Sequence, residues 1–246
     1  MTVVLLGATK GMGRALARRM AARGDRLFLL GRNVDELRRS AADLEVRHAS
    51  LAPVGTALCD LERPETFASA LDAAETQMGK IDTVVVTAAL FATQDQLEAN
   101  PTLATQLLLV NFTNTVLFCE HARKRLLAAG GGTLCVFSSV AGERGRSPVV
   151  IYGAAKAGLT RYLEGLDHRF RRQGLVTVCV KPGFVTTSMT AGLPRPRFAG
   201  NPDDVARRVL VAIDQRRPVV YVPPIWRLVM CVVRVLPRFV MRHAGF

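Results

Sequence analysis

Short runs of apolar, mainly β-branched residues alternate with longer amphipathic stretches over the whole chain. The runs cover residues 3–6, 27–30, 54–58, 83–87, 133–138, 176–180 and 219–222. Helical patterns lie between them, at about 12–43, 64–78, 101–129, 152–173 and 202–215. Strands that alternate with helices are typical of right-handed βαβ crossovers, which bury both faces of a parallel sheet. The sequence therefore predicts one α/β domain, a doubly wound seven-stranded parallel sheet with helices on both faces.

Composition excludes some classes of protein and favours anionic partners. Hydrophobic residues make up 49% of the 246 residues, which excludes a disordered chain. The 33 Lys and Arg against 20 Asp and Glu give a net charge of 33 − 20 = +13. The basic residues are spread along the chain without a nucleic-acid-binding motif, so we expect no nucleic acid. A phosphorylated cofactor, an acidic carrier protein or an anionic membrane would fit the charge.

Cysteine and histidine usage indicates neither a disulfide scaffold nor a metal site. The five cysteines are an odd number, and Cys59, Cys135 and Cys179 lie in or beside apolar runs. Reduced, buried thiols of a cytoplasmic protein are the expected reading. The four histidines are far apart in sequence, so no metal ligand set is predicted.

The first strand leads directly into a glycine-rich loop, Gly7-Ala8-Thr9-Lys10-Gly11-Met12-Gly13. Gly7 permits a tight turn, Gly11 lets the backbone approach a pyrophosphate, and Gly13 lets the next helix pack closely on the strand. The helix N-terminus then presents free N–H groups to the phosphates. This loop predicts a dinucleotide site, in the spacing Gly-x-x-x-Gly-x-Gly.

Two cations near this loop bear on the choice of cofactor. Arg32 follows the second strand, where NAD enzymes usually carry a carboxylate for the ribose 2′-hydroxyl, and Lys10 lies on the loop itself. A guanidinium at that place would attract a 2′-phosphate. We therefore expect NADP(H) in preference to NAD(H), with two ordinary solvated surface charges as the alternative.

A second set of residues indicates proton-transfer chemistry. Tyr152 and Lys156 are four residues apart at the start of a helix, so both lie on the same side of it. A neighbouring ammonium is expected to stabilise the phenolate and lower the tyrosine pKa, which would let Tyr152 give a proton to a carbonyl oxygen that receives a hydride. Ser139, at the end of the fifth strand, could hydrogen-bond the same oxygen.

These motifs together resemble the short-chain dehydrogenase/reductase family over essentially the whole chain. The resemblance implies a single-domain Rossmann fold, a nicotinamide cofactor and a catalytic tetrad of Asn111, Ser139, Tyr152 and Lys156. It also implies a set of cofactor-contacting positions. These are Gly7, Thr9, Lys10, Gly11, Met12, Gly13, Arg32, Asp60, Leu61, Ala88, Ala89, Tyr152, Lys156, Pro182, Val185 and Thr187.

The chain departs from the family pattern in two places. Leu6 stands where a threonine usually precedes the first glycine. The family's Asn-Asn-Ala-Gly after the fourth strand reads Val86-Thr87-Ala88-Ala89 here, so the side-chain amides that brace the cofactor cleft are missing.

Residues 225–246 form a basic amphipathic tail, separate from a catalytic domain over residues 1–224. Arg227, Arg234, Arg238 and Arg242 interrupt an otherwise apolar stretch, and a helix would place them within about 80° of one another. A transmembrane span is disfavoured because the stretch is short and carries arginine near its middle. The tail either lies in a membrane interface or packs on the protein's own body or a partner subunit. Pro237 is expected to split it into two helices.

Within the family, one subgroup resembles this chain more closely, the reductases of polyprenyl-phosphoryl keto-pentoses. The resemblance lies in residues 138–144, in Tyr152-Gly153 with 156–159, and in the arginine-punctuated tail. It implies reduction of the 2-keto group of decaprenylphosphoryl keto-ribose, a partner lipid-sugar oxidase that makes the ketone, and a cytoplasmic enzyme placed peripherally on the inner face of the membrane. Residues 188–200, which include Met189, Leu193, Arg195, Arg197 and Phe198, could cover such a substrate.

Two other functions stay open. The first is a 3-oxoacyl-[acyl carrier protein] reductase, whose acidic carrier could dock on basic residues near the ends of two long helices. Those residues are Arg123, Arg125, Arg169, Arg171 and Arg172. The second is an NADP(H)-sensing scaffold without turnover. Whichever function holds, the resemblance to the family implies a homodimer or homotetramer, associated through the helices at 101–129 and 152–173.

Overall fold

A computed structural model shows a seven-stranded sheet in the order β3-β2-β1-β4-β5-β6-β7, with every neighbouring pair parallel. It describes residues 1–48, 52–192 and 198–243. The strands are β1 (Thr2–Leu6), β2 (Arg26–Gly31), β3 (Gly55–Leu58), β4 (Thr83–Val86), β5 (Gly132–Phe137), β6 (Leu175–Pro182) and β7 (Val219–Val222). The predicted single-domain, doubly wound fold is confirmed.

Ten α-helices lie within the described residues. They are α1 (Gly11–Ala22), α2 (Val34–Arg47), α3 (Thr66–Met78), α4 (Gln94–Ala99), α5 (Pro101–Leu108), α6 (Asn114–Ala128), α7 (Val150–Phe170), α8 (Pro202–Asp214), α9 (Ile225–Val235) and α10 (Arg238–His243). A π-helical turn, Leu109–Thr113, joins α5 to α6. The pattern at 12–43 resolves into α1 and α2 on either side of β2, and the short helix α4 was not predicted.

The sheet separates two hydrophobic cores. Side chains of α1, α2 and α8 fill the first core, and side chains of α3, α6 and α7 fill the second. Successive residues of β1 point alternately into them, Val3 and Leu5 into the first and Val4 and Leu6 into the second. A strand buried on both faces has to be apolar at every position, which explains the unbroken apolar runs in the sequence.

The helical segment Pro101–Ala128 is long and apolar enough, by composition, to cross a membrane. The core helix of a globular protein passes the same test, so this is weak evidence for a span. Phe118 and Leu126 of this segment are buried in the second core. We therefore describe it as a core helix.

The strand order creates a crevice at one edge of the sheet. The chain leaves β1 toward β2 and β3, then returns to β4 on the other side of β1, so the connections after β1 and β4 run in opposite directions. Ligands bind to doubly wound sheets at such a switch point, outside the carboxyl ends of the strands. The glycine-rich loop, Ser139 and the segment after Pro182 all follow strands at this edge.

Candidate active site

The loop between β1 and α1 has the shape of a phosphate cradle. Gly7 and Gly11 adopt φ of +99° and +53°, which disfavours residues with a side chain. A Cβ on Gly13 would collide with the Gly7 carbonyl oxygen. Lys10 precedes α1 without capping it through its side chain, so the first N–H groups of the helix stay available to an anion. These features fit the pyrophosphate of a dinucleotide.

Thr87 braces this loop from the end of β4. Its hydroxyl donates a hydrogen bond to the Gly7 carbonyl oxygen at 2.9 Å, and the Ala88 amide donates to the Leu6 carbonyl oxygen at 3.2 Å. The side-chain amides that brace the cofactor cleft in the family are absent from this sequence, and the Thr87 hydroxyl braces the loop instead. Ala89, like Ala88, is half-buried beside the cleft strands.

The segment after β6 lies against the same loop. A Cβ on Gly11 would come within 3.3 Å of the Thr187 methyl group, so Thr187 and the phosphate cradle are neighbours. Val185 is buried and pairs with Gly200 in an isolated bridge. The Pro182 carbonyl oxygen accepts a hydrogen bond from the Ser139 hydroxyl at 3.4 Å. The segment therefore connects the phosphate cradle to Ser139, the predicted catalytic serine.

The remaining cofactor-loop positions, Thr9 and Met12, are half-buried, and Met12 packs against the first core. Of the segment after Thr187, Leu193, Arg195 and Arg197 lie outside the described residues. Met189 and Phe198 are exposed. Within the described part of this segment, the Thr190 hydroxyl donates a hydrogen bond to the Val185 carbonyl oxygen at 2.8 Å and accepts one from the Thr187 amide at 3.0 Å.

At the predicted cofactor-contacting positions after β2 and β3, and at Lys10, each candidate group already has a partner. Asp60 Oδ1 accepts a hydrogen bond from the Glu62 amide at 3.0 Å, and the Leu61 carbonyl oxygen accepts one from Asn114 at 2.6 Å. Arg32 is exposed and lies 3.5 Å from a Glu62 carboxylate oxygen. The Lys10 ammonium lies 3.0 Å from Glu36. Both predicted phosphate ligands therefore sit in exposed ion pairs, which cost little to open.

Ser139, Tyr152 and Lys156 meet at the carboxyl end of β5. Ser139 precedes the 3-10 turn Val140–Gly142 and accepts a hydrogen bond from the Ala141 amide at 3.1 Å. The buried Lys156 ammonium donates to the Phe137 carbonyl oxygen at 2.9 Å and lies 5.8 Å from the centre of the Tyr152 ring. The geometry brings the three predicted side chains to one place.

Close packing holds these groups in position. A Cβ on Gly142 would lie 2.6 Å from the Lys156 carbonyl carbon, so the turn after Ser139 sits directly on α7. The Phe91 ring packs edge-on against the Tyr152 ring, with centroids 5.3 Å apart. Both contacts restrict the movement of the tyrosine relative to the serine.

The electrostatics of the pair differ from the sequence expectation. Burial raises the pKa of Tyr152 to about 12, and the Ser139 hydroxyl opposes this rise. Burial also lowers the pKa of Lys156 to about 8. The expected lowering of the tyrosine pKa by the lysine is wrong for this structure, because desolvation disfavours the phenolate and the ammonium bonds to a backbone carbonyl.

Asn111 lies in the π-helical turn and is fully buried. Its side chain accepts a hydrogen bond from the Leu90 amide at 2.7 Å and donates one to the Leu90 carbonyl oxygen at 2.6 Å. These bonds tie α5–α6 to the segment that follows β4. π-Helical turns are rare in proteins, but those that occur are often at functional sites, because they shift one residue out of the helical register.

A buried polar cluster behind Ser139 was not predicted. The Glu143 carboxylate is paired with the buried Lys181 ammonium, accepts a hydrogen bond from the Tyr221 hydroxyl at 3.2 Å and lies 3.5 Å from Arg234 of α9. These four residues line part of a cavity of about 310 Å³ that lies between α7 and the strands β6 and β7. No spacing in the sequence connects these four residues, which come from a turn, two strands and the tail.

Comparisons with known proteins identify the family of the chain. A family model described as short chain dehydrogenase matches residues 1–197. The chain belongs to the short-chain dehydrogenase family. It is an NAD(P)-dependent oxidoreductase of the class that acts on CH–OH and C=O groups.

Individual relatives cover nearly the whole chain. An uncharacterised oxidoreductase of Mycobacterium tuberculosis is 32% identical over 241 residues, 98% of this chain and 96% of the relative. A 3-oxoacyl-[acyl-carrier-protein] reductase of Bos taurus is 28% identical over 219 residues, 85% of this chain and 90% of the relative. Among solved structures, a short-chain type dehydrogenase/reductase from Mycobacterium ulcerans has a TM-score of 0.81 at 21% identity, covering 90% of this chain and 87% of the other. This last likeness supports the fold alone.

Proposed function

We propose that the protein reduces a ketone with NADPH, and that Tyr152 is the proton donor. The bound cofactor would supply a hydride. The observation that carries the proposal is the meeting of Ser139, Tyr152 and Lys156 beside a phosphate cradle. With a pKa of about 12, the Tyr152 hydroxyl is protonated at neutral pH, which is the state that reduction of a carbonyl requires. The Ser139 hydroxyl would orient the carbonyl oxygen, and Lys156 would hold the cofactor ribose.

Replacing Tyr152 by phenylalanine tests this role. Proton transfer by a positioned side chain contributes roughly 10²- to 10⁴-fold, so ketone-dependent NADPH oxidation should fall by about that factor while NADPH binding, measured by calorimetry, persists. Tyr162→Phe, on the same helix but bonded to Glu120, is the matched control. Normal biological function of Tyr152→Phe in the cell would instead support a scaffold that binds NADP(H) without turnover.

NADP(H) is the favoured cofactor in this proposal because of Lys10 and Arg32. Glu36 would compete with the 2′-phosphate for Lys10. The hydrogen bond from Lys10 lowers the pKa of Glu36, and the charges of Arg39 and Arg14 lower that pKa further. A carboxylate held by several cations marks a place where a phosphate would also be attracted. The 2′-phosphate would then replace Glu36 as the ion-pair partner of Lys10.

Dissociation constants for NADPH and NADH test this preference. We expect tighter binding of NADPH, weaker NADPH binding in Arg32→Ala, and stronger NADPH binding in Glu36→Gln, which releases Lys10. Glu65→Gln, which removes a similar exposed ion pair with Arg63, is the control and should bind NADPH normally. Tighter binding of NADH that Arg32→Ala leaves unchanged would reject the preference.

The substrate that we propose is a polyprenyl-phosphoryl keto-pentose, supplied by a lipid-sugar oxidase and used for arabinose donors of the cell envelope. Arg146 supports an anionic substrate. It lies in the connection between Ser139 and Tyr152, its Nε is buried without a hydrogen-bond partner, and it makes no ion pair with a carboxylate of the described residues. Burial lowers its pKa. A desolvated guanidinium in the connection between Ser139 and Tyr152 is suited to a phosphodiester.

Steady-state kinetics on two ketones test the role of Arg146. For a short-chain polyprenyl-phosphoryl 2-keto-pentose, Arg146→Gln should raise KM about ten-fold or more, since a charge-assisted hydrogen bond contributes about 1.5–3 kcal/mol. For a neutral ketone it should leave KM unchanged. Arg161→Gln, an exposed arginine of α7, is the control. Equal effects on both ketones, or no turnover of the lipid-linked ketone, would overturn this substrate.

A 3-oxoacyl thioester on an acyl carrier protein is the second candidate, favoured by the similarity to the Bos taurus reductase. Of the proposed carrier-docking arginines, Arg169 and Arg172 are exposed without an ion pair among the described residues, and the other three are paired with carboxylates, Arg171 with Asp167. Arg123 pairs with Glu120, and Arg125 pairs with Asp72 and Glu75. Turnover of an acetoacetyl thioester with NADPH, and none of the lipid-linked ketone, would favour this candidate.

We also propose that the protein is a homodimer or homotetramer. Large apolar side chains are exposed along α5, the π-helical turn, α6 and the start of α7. They are Leu108, Leu109, Phe112, Leu117 and Val150. Exposed apolar side chains on helices that contact one another favour association with a second copy. Sedimentation equilibrium of Leu109→Lys/Leu117→Lys should show monomers if this surface is the interface.

A further inference from the structure

The C-terminal helix α9 packs on the protein's own body with one face only. On its inner face, Met230 and Val233 are buried against Val140 of the turn that follows Ser139. The Trp226 indole packs on Gly183, so that a Cβ at Gly183 would collide with it. Of the two alternatives for the tail, packing on the protein's own body is therefore correct for this face. It leaves the opposite face of the helix to be explained.

Polar contacts fix the orientation of the tail. Arg144 donates a hydrogen bond to the Leu236 carbonyl oxygen at 2.8 Å, and Arg234 lies 3.5 Å from the buried Glu143 carboxylate. Pro237 separates α9 from α10, as the sequence predicts. Since Trp226 holds the first turn of α9 and these polar contacts hold its last turn, the direction in which its outer face points is also fixed.

That outer face carries a row of exposed apolar side chains, which we call the outer stripe: Leu228, Val232, Val235 and Phe239. Their exposed fractions are 67%, 59%, 78% and 66%. Spacings of 4 and 7 residues place Leu228, Val232 and Val235 on one side of α9, and Phe239 is an exposed residue of α10. Single exposed apolar residues are ordinary, but a contiguous row indicates an interaction surface.

Arginines flank the outer stripe, and they are not neutralised by the protein. Arg227, Arg238 and Arg242 are exposed, and none of them is within ion-pair distance of a carboxylate in the ranges that the structure describes. No Asp or Glu occurs between residues 225 and 243. The surface is thus apolar and uniformly cationic. A second copy docked stripe to stripe would bring the arginines of both copies together, which like-charge repulsion disfavours.

We propose that the outer stripe docks α9 and α10 on the surface of an anionic lipid bilayer, with the arginines directed to the headgroup phosphates. α9 has 11 residues, which span about 16 Å. The hydrocarbon core is about 30 Å thick, so the helix lies along the interface rather than across it. The proposal rests on the surface of the tail and is independent of which ketone the enzyme reduces.

Vesicle co-sedimentation of the full-length protein tests the proposal. Phosphatidylcholine vesicles and vesicles of equimolar phosphatidylcholine and phosphatidylglycerol are compared at low and high salt. We expect sedimentation with the anionic vesicles only, and release by high salt, because salt screens the attraction between arginine and phosphate. Truncation before α9 is a poor test, since it would also remove Trp226 from Gly183.

Substitutions of exposed residues separate the two components of the surface. Leu228→Ser/Val235→Ser removes half of the outer stripe, and Arg227→Gln/Arg238→Gln removes two charges. Loss of two arginines should weaken partitioning about thirty-fold, since each contributes about five-fold near an anionic surface. The controls are Val46→Ser and Arg172→Gln/Arg208→Gln, exposed residues outside the tail. Turnover of a ketone checks that every variant is folded.

Several results would overturn the proposal. They are full recovery of the unmodified protein in the supernatant, equal binding to neutral and anionic vesicles, and equal binding by the tail variants and the controls. A dimer that dissociates in Leu228→Ser/Val235→Ser would show that a second copy, and not lipid, covers the stripe.

Discussion

Replacing Lys156 by methionine should change the way in which the stability of the protein depends on pH. Lys156 is buried, and burial lowers its pKa from 10.5 to about 8. The unfolded chain therefore binds a proton more tightly than the folded protein does. By linkage, the free energy of unfolding has to rise with pH between these two pKa values, as the buried ammonium becomes a neutral amine.

The size of this effect follows from the shift. Below pH 8 Lys156 is protonated in both the folded and the unfolded state, so the folded protein bears the full free-energy cost of burying the charge. That cost falls as the pH rises from 8 to 10.5, because the buried ammonium loses its proton. Between pH 7 and pH 10 the unmodified protein should gain about 2.5 kcal/mol relative to Lys156→Met. The methionine variant also loses the hydrogen bond to the Phe137 carbonyl oxygen, but the neutral amine keeps that bond, so the pH-dependent difference is unaffected.

Urea unfolding followed by far-ultraviolet circular dichroism, at fixed protein concentration and several pH values, measures this difference. Tyr152 does not interfere, because its pKa is raised: its effect, a loss of stability with rising pH, starts near pH 10 and is common to both proteins. Lys80→Met, at an exposed lysine, should run parallel to the unmodified protein. Parallel curves for Lys156→Met as well would refute the desolvation of Lys156.

Substitutions at Gly13, Thr87 and Asn114, the first two with a control variant, test the cleft and its supports. Gly13→Ala should abolish cofactor binding or folding, whereas Gly165→Ala, in open space on α7, should raise stability by up to about 1 kcal/mol; thermal unfolding and calorimetry distinguish them. Thr87→Val should raise the dissociation constant of the cofactor about five-fold and Thr87→Ser should not, since only the valine lacks the hydroxyl that braces the phosphate loop. Asn114→Ala should lower the free energy of unfolding by about 1–3 kcal/mol, because a buried carbonyl oxygen loses its donor; no change in urea unfolding would contradict this role.

Local patterns were sufficient to predict most of the fold. The strands of a parallel sheet are buried on both faces, so runs such as 3–6 and 176–180 are apolar throughout and their boundaries were predicted to within two residues. The short helix α4 has a capping box, in which Thr93 and Gln96 bond reciprocally, but six residues contain too few turns for a periodic pattern.

The site was harder to predict where its properties depend on burial. The spacing of Tyr152 and Lys156 placed them on one side of α7, but the direction of their pKa shifts depends on how much water reaches them, which the sequence does not contain. The Thr87 hydroxyl and the Glu143–Lys181 pair were missed for a related reason. Their partners come from distant segments, and no spacing along the chain records such contacts.

The contact between Trp226 and Gly183 has a practical consequence. Trp226 is the only tryptophan of the protein, and its ring lies on the segment that connects the cofactor cradle to Ser139. Fluorescence excited at wavelengths that the three tyrosines do not absorb thus arises from a single indole beside the cleft. Reduced nicotinamide absorbs where tryptophan emits, so energy transfer from this indole offers a label-free signal for occupancy of the cleft and for any movement of the tail away from it.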